Sequence, residues 1–98
     1  MEKKRPHYAL STVRTLIEQG NARTTAVAAR DAANLGFDFR GVLEIVAALK
    51  TADFYKSMTT YNDHRVWQDV YRPLTEAGRV YLKLTVIADL LIVSFKEL

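Results

Sequence analysis

The chain contains no cysteine. That excludes disulfides, thiolate nucleophiles and cysteine-built zinc sites. It also fits a reducing compartment, and a cytoplasmic location is expected. Histidine is almost as scarce. His7 and His64 stand far apart, and neither has a ligand partner at a metal-binding spacing, so neither a metal nor a cofactor is expected. Glycine and proline number only four and two. There is no glycine-rich phosphate loop, linker, repeat or low-complexity tract, so a single domain spanning residues 1–98 is expected. No apolar run approaches the ~20 residues that cross a bilayer, and the opening MEKKRPHY leads into no signal-peptide core. No membrane association is expected. No serine sits in a nucleophile-elbow motif.

What is present divides the chain in two. Val13, Leu16 and Ile17 follow Ser11 at helical spacing until Gly20, with Ser11 as the expected cap. Thr24 and Thr25 cap an alanine-rich segment, residues 26–34, ended by Leu35 and Gly36. Asp38 caps a third helix through Leu49, with Val42, Leu43, Ile45 and Val46 on a broad apolar face. From Asp53 onward the chain turns to β-branched and aromatic residues. Strands are expected over 54–61 and 66–71, with a turn at Asn62-Asp63, followed by a loop over 74–78.

The last stretch, RVYLKLTVIADLLIVSFK over 79–96, reads as a hairpin turning at Ala88-Asp89. An even turn there sets Val86 against Leu91, Leu84 against Val93 and Leu82 against Phe95 on one apolar face. It sets Lys83 against Ser94 and Tyr81 against Lys96 on the other. The expected fold class is α+β, with N-terminal helices packed on one face of a C-terminal antiparallel β-sheet.

The net charge is +3. Residues 1–30 carry six Lys/Arg against two acids, which suits either a nucleic-acid contact or a solvated, mobile tail. The strand half is rich in Tyr55, Lys56, Tyr61, Arg65, Gln68, Tyr71, Arg72, Tyr81, Lys83 and Lys96. Cations interleaved with aromatics suit single-stranded RNA, since bases stack on rings and cations hold phosphates. An ordinary solvated face, its lysines discouraging edge pairing, explains the same pattern. The residues alone leave both readings open.

The stretch DFYKSMTTYNDHRVWQDVYRP over 53–73 resembles the corresponding segment of the MqsR toxins, bacterial messenger-RNA interferases of type II toxin–antitoxin systems. The tail VYLKLTVIADLLIVSFKE over 80–97 is similar to their C-terminus. The likeness is looser over 8–50, where Arg23-Thr24-Thr25, Leu35-Gly36 and Asp38-Phe39 carry it. The resemblance implies a RelE-like fold. It further implies metal-independent, ribosome-independent endoribonuclease cleavage of messenger RNA at GCU-like triplets. The partner it implies is an MqsA-like antitoxin with a zinc-binding N-terminal domain. Residues tied to activity in the family match here as Lys56, Gln68, Tyr81 and Lys96. Tyr55, Met58 and Arg72 match as candidates for RNA contact. Ala88 departs from the histidine of the best-known member, which bears on RNA context rather than on the core chemistry. A non-catalytic RNA-binding or antitoxin-binding module is the alternative.

Cleavage without a metal needs a base for the ribose 2′-hydroxyl, an acid for the leaving oxygen and positive charge at the phosphorane. No histidine is expected near the site. Neighbouring ammonium groups stabilise a phenolate, which makes Tyr81 the candidate base. Clustered lysines give up a proton more easily, so either Lys56 or Lys96 is the acid and the other the stabiliser. Gln68 positions the RNA or reads a base, and Arg72 clamps phosphate. The arrangement demands Lys56 and Gln68 on one face, which requires an odd connection or a bulge between their strands.

Overall fold

The computed structural model describes residues 1–98. Its elements run β1 (Glu2–Lys3), α1 (Leu10–Glu18), β2 (Ala22–Thr24), α2 (Ala26–Asn34), α3 (Phe39–Ala47), then β3 (Phe54–Thr59), β4 (Trp67–Tyr71), β5 (Leu74–Thr75), β6 (Gly78–Ile87) and β7 (Asp89–Glu97). The architecture is mixed α+β. No helix is long and apolar enough to cross a membrane.

The helix starts follow from local side-chain chemistry. The Thr25 hydroxyl accepts from the Ala28 amide at 3.1 Å and the Asp38 carboxylate from the Gly41 amide at 2.8 Å, each satisfying an otherwise orphaned donor of a first turn. Ser11 does not cap α1. That helix begins two residues earlier than such a cap implies, at Leu10 behind Ala9, with no side-chain cap. The segment ahead of it is fixed from elsewhere: the amides of His7 and Tyr8 donate to the buried Asp69 carboxylate at 2.9–3.0 Å. α2 ends where Gly36 takes φ +93°, a conformation closed to most side chains. Arg14 of α1 ties two helices together. Its guanidinium donates to the carbonyls of Ala47 at 2.9 Å and Leu49 at 2.7 Å, just where α3 leaves its own carbonyls unpaired.

The sheet order is β1-β3-β4-β6-β7-β2, with β5 paired to β6 at one side. Two corrections to the expected sheet follow. It is not purely antiparallel, because β2 runs parallel to β7. Nor is it purely C-terminal, because β1 pairs with β3 and β2 lies at the other edge. The N-terminal residues are therefore not a free tail. The expected loop after Pro73 is instead a small hairpin, Leu74 opposite Arg79 and Thr75 opposite Gly78.

The C-terminal hairpin keeps the expected register in its outer half, with Tyr81 opposite Lys96, Leu82 opposite Phe95 and Lys83 opposite Ser94. A bulge then shifts it, so that Leu84 faces Ile92 and Val86 faces Leu90. Leu90 and Ile92, not Leu91 and Val93, accordingly enter the core. The turn closes through Ala88 at φ 64°, with Ile87 and Asp89 paired on either side. The core joins Val13 of α1, Ala28 and Ala32 of α2, and Val42 and Val46 of α3 to Tyr71, Leu82, Leu84, Leu90, Ile92 and Phe95 of the sheet.

Candidate active site

Strand register gathers the candidate residues. β3 and β4 are joined through seven residues, 60–66, and Met58 lies opposite Gln68, Lys56 opposite Val70. Side chains of facing residues share a side of the sheet, so Lys56, Met58 and Gln68 project together. The odd connection expected from the sequence is what the chain has. A bulge at Tyr55, just beyond that register, offsets Phe54 from Lys56. Strict alternation would put Phe54 and Lys56 on one side. The extra residue instead sends Phe54 inward against Tyr71, ring centroids 5.4 Å apart, and Lys56 outward.

From Lys56 the row crosses the sheet through Val70 to Lys83 and Ser94. Two residues along, Tyr81 pairs with Lys96. Alternation against buried Leu82 places Tyr81 and Lys83 on the side away from the core. The Tyr81 ring is half-buried and flanked by two ammonium groups, Lys96 Nζ at 5.3 Å and Lys83 Nζ at 5.8 Å from its centroid. Tyr55 makes a second aromatic–cation unit. The Arg72 guanidinium lies 3.9 Å from its centroid and Lys56 Nζ lies 5.5 Å away. All seven candidates, Tyr55, Lys56, Met58, Gln68, Arg72, Tyr81 and Lys96, thus fall on or beside one continuous surface.

Other expectations change. Tyr71 is not on this surface. It is fully buried on the core side, and burial pushes its phenol up to about 12. Arg65 is held by Asp63 through contacts of 3.0 and 3.2 Å. Lys56 is not an easily deprotonated lysine. Glu2 of β1 accepts a hydrogen bond from its ammonium, and this contact holds Lys56 above the usual lysine value and Glu2 below the usual carboxylate value. The lysine whose proton is loosened is Lys83, first by burial and then by the charges of Lys96 and Lys56. Contrary to expectation, a histidine does lie close by. His64 lines a cleft of about 520 Å³ that also includes Met58, Gln68 and Lys83.

Lys83 and Glu2 were the residues missing from the candidate set. The alternation of β6 already places Lys83 beside Tyr81, so the signal for it was present. Glu2 had none, because only the tertiary pairing of β1 with β3 brings it to Lys56.

Comparison with known proteins sharpens this picture. The chain is 57% identical over 97 residues to the mRNA interferase toxin MqsR of Escherichia coli (strain K12), covering 99% of each chain. A family model described as motility quorum-sensing regulator, toxin of MqsA, matches residues 5–97. With a match over nearly its whole length, the chain belongs to that family of toxins.

Proposed function

We propose that this protein is the toxin of a toxin–antitoxin pair and an endoribonuclease that cuts messenger RNA by transesterification. The observation that carries the reading is Tyr81 between the ammonium groups of Lys83 and Lys96, on the surface that also presents Lys56. In the reaction, Tyr81 takes the proton from the 2′-hydroxyl. The 2′-oxygen attacks the adjacent phosphorus and the P–O5′ bond breaks. An ammonium group protonates the departing 5′-oxygen, leaving a 2′,3′-cyclic phosphate and a 5′-hydroxyl. No protein nucleophile and no metal takes part.

The lysines divide the remaining work. Lys56, held protonated by Glu2 in the free protein, serves as the cation on the phosphorane once phosphate replaces that carboxylate. The acid is Lys96 or, by virtue of its loosened proton, Lys83. Gln68 positions the RNA, while Tyr55, Met58 and Arg72 hold the strand on either side. Acid–base catalysis contributes only about 10²–10⁴-fold, so in-line positioning of the 2′-hydroxyl supplies much of the rest.

The finer features of the reading are a RelE-like arrangement with the helices on one sheet face and the catalytic surface on the other. It acts in the cytoplasm on free messenger RNA, without the ribosome, at GCU-like triplets. Its partner is an antitoxin of the MqsA kind, docking over or beside the catalytic surface by strand addition. The two-residue β1 leaves much of the β3 edge for such a strand. The test is a short RNA incubated with purified protein in excess EDTA. Scission with cyclic-phosphate ends is expected. Intact RNA bound to the protein under those conditions would instead establish the binding-only alternative.

A further inference from the structure

Beside the lysine–tyrosine cluster, the β3–β4 connection forms one wall of the cleft of about 520 Å³. Its floor is the cross-strand pair Met58 and Gln68, and Lys83 closes the side toward Tyr81. Tyr61 and His64 stand on the wall. Tyr61 is 96% exposed, an unusual state for a large aromatic that packs against nothing. The connection itself is braced. The Thr60 hydroxyl donates to the Asp63 carbonyl at 2.7 Å and accepts from the Asp63 amide at 3.0 Å, and Arg65 is clamped on Asp63. Tyr61 is thus displayed from a tied turn. Gln68 gives its backbone carbonyl to Ser57 Oγ at 3.4 Å, while its side-chain amide points at the cleft with donor and acceptor unspent.

These are the parts of a nucleobase site. An exposed ring stacks on a base, a thioether supports the base from below, and a primary amide pairs with its hydrogen-bonding edge. A phosphate or sulfate would have no use for Met58 and Tyr61. Lys83 lines the cleft and also stands 5.8 Å from the Tyr81 ring, so it links the two. We propose that this cleft binds one unstacked base of single-stranded RNA next to the cleaved bond, with Tyr61 as the stacking platform and Gln68 reading the base edge. The proposal rests on the RNA-cleaving reading and adds to it a residue, Tyr61, that anchors a base beside the cut.

The test separates the two. Affinity is measured on an uncleavable 2′-O-methyl oligonucleotide, so the result does not depend on scission. Tyr61→Ala should weaken binding about tenfold, as loss of one base–aromatic stack implies, and Tyr61→Phe should retain it. One abasic substitution next to the scissile position should weaken wild-type binding by a similar factor, with little further loss in Tyr61→Ala. Unchanged affinity in Tyr61→Ala, or an abasic effect equally large in both proteins at every position, would overturn the base site. Failure of the wild-type protein to cut cleavable RNA would count against the catalytic reading alone.

Discussion

Tyr71 holds the buried side-chain oxygen that finds no hydrogen-bond partner. An unsatisfied buried hydroxyl costs about 1–3 kcal/mol, so Tyr71→Phe should stabilise the fold by about 1 kcal/mol in urea unfolding while leaving the packing against Phe54 intact. The same group sets an alkaline limit. Its proton leaves the unfolded chain near 10 and the folded chain near 12. Native protein therefore holds more protons across that interval, and stability falls as pH rises through it. The phenylalanine variant should lose that part of the fall. Glu2 is the second residue with a measurable signature. Its carboxylate occupies Lys56, so RNA phosphate must displace it. Glu2→Gln should bind RNA severalfold more tightly, and its activity should decline at a lower alkaline pH, because Lys56 then loses its proton sooner. Wild-type affinity with an unshifted alkaline limb would show that Glu2 does not govern Lys56. At this scale the sequence was a good guide to what stands on the strands and a poor one to what approaches from elsewhere. Tyr81 and Lys83 follow from alternation. Glu2 on Lys56 depends on a distant pairing that no local pattern encodes, whereas the burial of Tyr71 follows from alternation along β4 opposite Leu82.

Among the elements, α2 and α3 were the most legible, because Thr25 and Asp38 act on amides three residues away. β1 and β2 were not, since strands of two and three residues carry no period and find partners only through the fold. The inner half of the hairpin failed for a different reason. Leu90 to Val93 are four apolar residues in a row, so either parity fits the pattern, and the bulge decides between them. The N-terminal segment, read as possible tail, is instead a strap. Lys3 lies 4.2 Å from the Trp67 ring, His7 stacks on Trp67 at 5.3 Å, and Lys3 Nζ donates to His7 Nδ1 at 2.8 Å. Burial, then the Lys3 charge, hold His7 below its ordinary value of 6.5, against a smaller opposing pull from Asp69. The unfolded chain therefore takes up a proton there before the folded one does, and strap stability is lost as pH falls from 6.5. Protection of the Tyr8 amide, taken as its exchange rate relative to the intrinsic rate at the same pH, should fall over that range, and His7→Phe should remove the dependence. A protection factor that ignores pH in the wild-type protein would show that His7 does not hold the strap.

Across the whole molecule, the basic N-terminus noted in the sequence is only partly spent, and Lys4 lies 5.8 Å from the Tyr55 ring on the candidate surface. Arg14 is spent between two helices, Arg23 on Asp89 at 3.5 Å and Arg30 on Asp31 at 3.9 Å. Lys83, Lys96 and Arg72 make no ion pair within the protein and stand around two tyrosine rings. A surface of this kind suits a polyanion with bases, and in the proposed reaction the tyrosine between ammonium groups is what separates cutting from holding. The decisive measurement is single-turnover cleavage by Tyr81→Phe in EDTA, with RNA affinity measured on the same protein. Loss of the base predicts a fall of about 10²–10⁴-fold in rate with affinity kept within about threefold. Cleavage at the wild-type rate, or a loss no larger than the loss of binding, would contradict the assignment of Tyr81 as the group that takes the 2′-hydroxyl proton.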